Sequence, residues 1–411
     1  MKILIVIPRF YPLETPRAYR WSTLAIRLAQ LGHEVHVFTG TIPESPQEEI
    51  WNSIRILRAG TASIKDLLSG ASTRLTKGDM PSLATQIKSK AIEIHQRFFQ
   101  PFYFPDVYFP WLKTARTAFE QTLGEHTFDA VITVGLPMSA HLWGLRAKSS
   151  FSDMKWLVDM GDPYQIGSAQ NTWIFQNKRR RLEQKVLRSC DAIAVTNRGL
   201  KQALSDGLEE LKQKVHVISH FSDLPPANTK KTPTKGLGHL LYFGRFYQRL
   251  RPAKDFFDTL YRFNSAHLED QRLELDIYGP TGSFLTSKSW KRLKKEAHYN
   301  GEVSRLELSK LILPTRSIAL IIGNASSTQL PSKVFDMAAL GLPILYYYYL
   351  EEDPGLKLLQ DINYPGLMPL QHGDEISLHE IRRALNEKAL ASPPPLPSSH
   401  FITEEYLKLI Q

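Results

Sequence analysis

Cysteine is almost missing from this chain, with Cys190 the only one in 411 residues. A single thiol excludes an intramolecular disulfide and any zinc site built on paired cysteines, and it fits a reducing compartment. Long apolar runs are missing too. No stretch approaches the roughly eighteen apolar residues of a membrane-spanning helix. The opening MKILIVIPRFYP carries an apolar run too short for a signal peptide and reads as a first buried strand. Several signatures are also absent. The first strand-to-helix loop, PRFYPLETPRAYR, has neither G-x-G-x-x-G nor P-loop spacing, so a nicotinamide dehydrogenase or a Walker-type phosphotransferase loses its best marker. No D-x-D and no metal-ligand cluster occurs, so no metal and no cofactor is expected. Paired Cys/His spacing, Arg/Gly tracts and basic regions preceding heptads are all lacking, which removes the common nucleic-acid modules.

What is present is basic and globular. Lys and Arg number 51 against 41 Asp and Glu, a net charge of +10 that favours anionic partners such as nucleotide phosphates or an acidic membrane face. Apolar residues make up 42% and charged residues 22%, as in ordinary folded domains. The segments KILIVIP, HEVHVFTG, IRILRAG, FDAVITVG, KWLVDM, AIAVT and VHVIS are near-continuously apolar, as strands are when helices cover both faces of a sheet. Helical patterns separate them. After SDLPPANTKKTPTKGLG the rhythm restarts with HLLYFG, LELDIYG, IALIIG and PILYYYY. The expected fold is α/β, with two doubly wound Rossmann-like domains facing a cleft. The expected boundaries are residues 1–221 for a first domain, 222–238 for a linker, 239–390 for a second domain and 391–411 for a linker and final helix.

Ligands of such sheets lie beyond the strands' carboxyl ends, which selects the candidates. Arg17 and Arg20 open the first helix, where a cation is unfavourable beside the positive end of the helix dipole unless an anion is present. Gly244 permits a tight exit from the second domain's first strand, and Arg245 follows it. Arg249, Arg251 and Lys254 crowd behind as further cations or as a solvated basic loop. In LPSKVFDMAALGLPIL, Ser332 reads as an N-cap, with Lys333 and Asp336 on one helical face. That pair either bonds to itself or clamps a nucleotide, the cation on a diphosphate and the carboxylate on ribose hydroxyls. On the other side Asp162, in DMGDPY, follows a strand and either faces the cleft or caps a turn. His141 lies in a helix's first turn, able to meet a sugar hydroxyl or to sit as a structural histidine. RFFQPFYFPDVYFPWLK carries eight aromatics from Phe98 to Trp111 between basic flanks, suited to a membrane interface or to packing as a lid. KRRR at 178–181 adds attraction to anionic lipid or a solvated helix face.

The opening strand, loop and GHEV strand, the blocks GLPMSAHLWGL, WLVDMGDPY and RLEQKVLRSCDAIAVTNRGLKQAL, then LLYFGRFY and LPSKVFDMAALGLPIL, occur in the order of one family. The chain resembles a GT-B glycosyltransferase of the large retaining family 4 type. The resemblance implies a nucleotide-diphosphate sugar as co-substrate, with Asp336 on its ribose and Arg245 and Lys333 near the diphosphate. It also implies that the first domain is acceptor-side and the second donor-binding, with a glycan or polyprenyl-linked acceptor and a C-terminal helix crossing back to the first domain. Two departures stand out: Thr328 occupies the place of the earlier of two spaced glutamates, and ETPRA replaces a glycine pair in the first loop. The expected activity is transfer of a hexosyl group with retention, in polysaccharide biosynthesis. A cytoplasmic location, with contact to the inner membrane face, goes with it. The other readings are a catalytically inactive nucleotide-binding or scaffold protein of the same fold and, ranked lower, a sugar-nucleotide epimerase.

Overall fold

The computed structural model describes residues 1–61, 98–165, 174–230, 236–247, 250–280, 282–293, 295–386 and 394–411. These form two compact units. One holds the described residues through His220 together with Ser398–Gln411, and the other those of Phe221–Pro397.

In the first unit β1 (Lys2–Val6) has Ile3 to Val6 wholly buried, as its uninterrupted apolar run requires. It leads into α1 (Pro16–Gln30), where Trp21, Leu24, Ala25 and Leu28 recur at helical spacing and form the buried stripe. Thr15 caps the helix through Ala18 N–H at 3.3 Å, and Gly32, at φ +85°, ends it in the left-handed region. The strands β2 (Glu34–Thr41), β3 (Glu48–Trp51), β4 (Ile54–Thr61), β5 (Ala130–Gly135), β6 (Lys155–Met160), β7 (Ala192–Val195) and β8 (Val215–Val217) complete one sheet of order β3-β4-β2-β1-β5-β6-β7-β8. All pairings are parallel except β3 with β4. That hairpin was not expected. EEIW is a polar, half-exposed edge strand, and its turn uses Asn52 and Ser53, both at positive φ, in place of the usual Asn-Gly. Its helices are α2 (Phe109–Thr114), α3 (Arg116–Glu125), α4 (Met138–Ser150), α5 (Gln176–Ser189), α6 (Arg198–Ser205) and α7 (Glu209–Lys212).

The second unit contains β9 (Asn228–Lys230), β10 (Gly238–Phe243), β11 (Leu273–Tyr278), β12 (Ala297–Tyr299), β13 (Ile312–Pro314), β14 (Ser317–Ile322), β15 (Ile344–Tyr348) and β16 (Leu367–Gln371). Six of them make a parallel sheet ordered β12-β11-β10-β14-β15-β16. Its helices are α8 (Ala253–Ala266), α9 (Lys288–Arg292), α10 (Arg305–Lys310), α11 (Lys333–Ala339), α12 (Pro354–Asp361) and α13 (Leu378–Asn386). Within residues 222–238, read from the sequence as a linker, β9 instead pairs with β13. Backbone pairing needs no apolar period, so composition could not reveal it; residues 231–235 and 387–393 lie outside the described ones. The last helix, α14 (Ser399–Leu407), belongs to the first unit. There Tyr406 packs its ring 5.0 Å from Trp21 of α1.

Candidate active site

A doubly wound sheet opens a crevice where successive connections leave in opposite directions. In the first unit that point lies between β1 and β5. Arg17, two residues past the Thr15 cap, donates to the Leu136 carbonyl just after β5 and to Asp162 Oδ2 just after β6, the latter at 2.9 Å. One guanidinium therefore ties three strand-end loops together. With side chains 31% and 41% exposed, the Arg17–Asp162 pair is open to a solute and contributes at most about 1 kcal/mol to stability.

His141, in the first turn of α4, is wholly buried. Trp156 Nε1–H donates to Thr133 Oγ1 at 2.9 Å, and that oxygen lies 2.8 Å from His141 Nδ1. An indole nitrogen can only donate, so the threonine oxygen accepts from Trp156 and meets His141 Nδ1 with its second lone pair or its own proton. Burial, reinforced by the Arg17 charge, pushes the histidine down to about 3, so the ring is neutral. Its Nε2 meets no hydrogen-bond partner among the described residues and abuts Gly135 at the end of β5. Any side chain at Gly135 would collide with it.

Arg20 does not join this crevice. The expectation of a second phosphate-contacting arginine is corrected: Arg20 is 7% exposed and fully engaged. It donates to the Ser219 carbonyl at 2.9 Å and to Tyr406 Oη at 3.1 Å. Tyr406 in turn donates to Asp159 at 2.8 Å, and Trp21 Nε1 donates to the same carboxylate at 2.7 Å. A buried guanidinium must have its donors met, and the chain after β8 and the phenol of α14 supply the acceptors.

In the second unit the crevice lies between β10 and β14. Gly244, at φ +153°, ends β10 and donates to the Tyr278 carbonyl at 2.9 Å. A methyl at Gly279 would strike the Gly244 carbonyl, so these two strand-end loops pass with no room for a side chain. Arg245 follows, exposed, its guanidinium without a partner among the described residues. Arg249 lies outside the described residues. Arg251, which the sequence left undecided, crosses the crevice: its Nη2 and Nε donate to Asn324 Oδ1 at 2.7 and 3.1 Å, just after β14. Lys254 turns away and pairs with Asp258 on its own helix, at 3.0 Å.

Asp336 in α11 is 2% exposed. Its Oδ1 accepts from Arg305 and, at 3.0 Å, from Ser222 Oγ, while Lys333 Nζ stands 3.4 Å from Oδ2. The carboxylate expected on a ribose is thus held by the protein itself. No local signal in the sequence announced Arg305, which arrives from α10. Ser332 occupies the N-cap position but makes no capping bond; its backbone is already helical, at φ −60° and ψ −25°. Val334 and Phe335 N–H donate to the Pro331 and Ser332 carbonyls, which removes two of the donors expected to greet a phosphate. Thr328 is buried, with its Oγ1 3.1 Å from Ser326 Oγ. At the end of β15, Asp353 caps α12 and takes a 2.6 Å bond from Tyr346; burial raises its pKa. Among the described residues no cluster of three or more His, Cys, Asp or Glu side chains is arranged to hold a metal ion.

The sequence profile of Glycosyltransferase Family 4 matches residues 19–225, just over half of the chain, and the chain belongs to that family. It is accordingly a glycosyltransferase enzyme. No curated protein matches it in sequence. Solved structures similar to it include sucrose-phosphate synthase from Thermosynechococcus elongatus, with TM-score 0.59, 14% identity, and coverage of 100% of this chain and 94% of that one. A glycosyltransferase from Rickettsia africae gives TM-score 0.58 at 10% identity, covering 100% and 97%. An α,α-trehalose 6-phosphate synthase from Burkholderia multivorans gives 0.53 at 11%, covering 100% and 92%. At such identities the likeness establishes the fold, two Rossmann-like units of the GT-B class. No helix among the described residues is long and apolar enough to cross a membrane.

Proposed function

We propose that the enzyme moves a sugar from a nucleotide-diphosphate donor, bound at the β10/β14 crevice, to a hydroxyl of a glycan or polyprenyl-linked acceptor. The reading is supported chiefly by the charge balance of that crevice. Arg245 and Arg251 follow β10, Arg305 and Lys333 share the single carboxylate Asp336, and Asp353 lies near enough to Arg251 to feel its charge. An exposed guanidinium with nothing to neutralise it is suited to a leaving diphosphate, and these cations supply the counter-charge without a metal ion. Arg17 and Asp162 line the other crevice and are proposed to meet the acceptor hydroxyl, while His141, wholly buried behind Gly135, only supports the end of β5. Among the described residues no nucleophile and base stand together in that crevice, which favours retention. The anomeric carbon–phosphate oxygen bond breaks as the acceptor oxygen bonds to the same face, and the acceptor proton passes to the leaving phosphate. The site of action is proposed to be the cytoplasmic face of a membrane.

The test is a thermal-shift panel of UDP, GDP, ADP and CMP compounds, followed by product analysis with the sugar form of the best ligand. A nucleotide at a hundred times its Kd raises folding stability by about 2.7 kcal/mol. One nucleotide diphosphate is expected to raise the melting temperature of the parent and to do so far less with Arg245→Ala. Absence of any shift across the panel removes the proposal. A second reading, nucleotide binding without transfer, is favoured by the buried Thr328 and the engaged Asp336. It predicts a melting shift with no product from any sugar form.

A further inference from the structure

Residues 98–115 and 174–189 of the first unit contain two acids, Asp106 and Glu183, and both are buried. The exposed charges on these segments are therefore all positive: Lys113, Lys178, Arg180, Arg181, Lys185 and Arg188. Beside them Phe98, Phe99 and Phe102 are 58%, 57% and 60% exposed, and Phe104 and Phe175 exceed a third. The aromatic run is sorted rather than uniformly outward, since Trp111 is wholly buried.

The two segments make one surface. The rings of Phe104 and Phe175 meet edge-on at 6.1 Å, and the Lys178 ammonium lies 5.4 Å above Phe175. Arg179, expected as part of a solvated or lipid-facing basic run, is buried instead and donates to the Tyr103 and Pro105 carbonyls at 2.7 and 2.8 Å. Asp106 accepts from Ser139 N–H and Oγ and from Tyr108 N–H. Tyr164 Oη adds a second bond to the Pro105 carbonyl, at 2.8 Å. The phenylalanines following residue 102 are thus mounted on a braced backbone, and their exposure is a feature of the fold.

Scattered apolar side chains on a surface need no explanation, but a contiguous patch edged by one sign of charge marks an interaction site. Aromatic rings at the tip with cations alongside match the layering of an anionic bilayer, rings at the acyl–headgroup boundary and cations among the phosphates. We propose that this surface docks on an acidic lipid bilayer, with Phe98, Phe99, Phe102 and Phe104 in the interface and Lys178, Arg180 and Arg181 on headgroup phosphates. The proposal does not depend on transferase chemistry, so vesicle binding and turnover can fail separately.

The experiment is co-sedimentation of the full chain with vesicles of phosphatidylcholine alone or mixed with phosphatidylglycerol. Binding is expected to the mixed vesicles and to weaken with salt. Replacing Lys178, Arg180 and Arg181 by Gln is expected to cut it about a hundredfold, which is about 3 kcal/mol at about 1.4 per tenfold. Replacing Phe98, Phe99, Phe102 and Phe104 by Ser is expected to abolish it. Should that variant misfold, Phe102→Trp reads the same contact: its added emission shifts blue on mixed vesicles and is quenched by brominated lipid. An unshifted emission from the Phe102→Trp variant, or vesicle binding that survives the Gln replacements, overturns the proposal. So does a parent chain that ignores vesicles and forms a dimer which the Ser variant disperses.

Discussion

Each sheet carries an arginine across its switch point, and the two crevices differ in what surrounds that arginine. Arg17 spans β1 and β5 and is matched by Asp162 at 2.9 Å, so the first crevice is close to neutral. Arg251 spans β10 and β14 on a neutral amide, Asn324, and Arg245, Lys333 and Arg305 add charge that Asp336 and the buried Asp353 only partly offset. The same topology thus builds one opening suited to a neutral, hydroxyl-bearing ligand and one suited to an anion. The fold supplies the place, and the residues after the strands supply the chemistry.

Breaking the second crevice should show most in Asp336→Ala. It takes the carboxylate from a partly buried Arg305, which keeps the Phe221 carbonyl and Ser222 Oγ as acceptors, a loss of about 1–3 kcal/mol of stability. Urea unfolding of Asp336→Ala, Arg305→Met and the double variant measures it, and additive losses would mean the pair is not coupled. Arg245→Ala should leave the melting temperature almost unchanged, because the side chain is exposed and unpartnered. It should lower kcat by about 10²–10³, the range for removing one preorganised donor to developing charge. A collapse of stability with intact turnover would reverse that assignment.

Sharpening the first crevice calls for Thr133→Val, which strands Trp156 Nε1–H and His141 Nδ1 and should cost about 1–3 kcal/mol. Nitrogen-15 spectra of the parent should show His141 neutral and in one dominant tautomer at pH 5. In the valine variant this tautomer should no longer dominate, and Thr133→Ser should restore it. A parent spectrum with a charged imidazole at pH 5, or with both tautomers mixed, would remove the deduction.

The smallest effect lies away from both crevices, at His239. Burial lowers its pKa, but the hydrogen bond to Asp276 and the charges of Asp276 and Glu274 outweigh this and hold it above its ordinary 6.5. A raised histidine stabilises fully below its unfolded pKa, and the gain fades as pH rises through the folded value. Burial likewise raises Asp276, while bonds from His239 and Asn300 bring it below 3.8, so its gain fades as pH falls through the folded value. His239→Gln should therefore lower the melting temperature more at about pH 5.5 than at pH 8, by well under 1 kcal/mol of difference. An equal loss at both values would show that the charge plays no part.

Much of the architecture was legible because its cause is local. KILIV, AVITVG and SIALII are apolar throughout, and only a sheet covered on both faces buries such runs. Thr15, Pro16 and Gly32 mark the ends of α1 as capping and backbone freedom require. The β3 hairpin and β9 escaped because paired backbone at a polar edge leaves no apolar period.

The candidate site divides along the same line. That Arg17, Asp162, Arg245 and Asp336 follow strands was decided by the chain itself, since a residue's place after a strand is a matter of sequence position. Whether each is open was decided by tertiary structure. Arg17 and Arg20 stand one turn apart in the same helix. One reaches a solvent-open carboxylate, while the other is sealed by carbonyls near residue 218 and a phenol at 406. Asp336 is closed by Arg305, 31 residues away, and His141 is joined to Trp156 through Thr133. Burial and hydrogen-bond direction depend on atoms distant in the chain, and only the folded packing brings those atoms within reach.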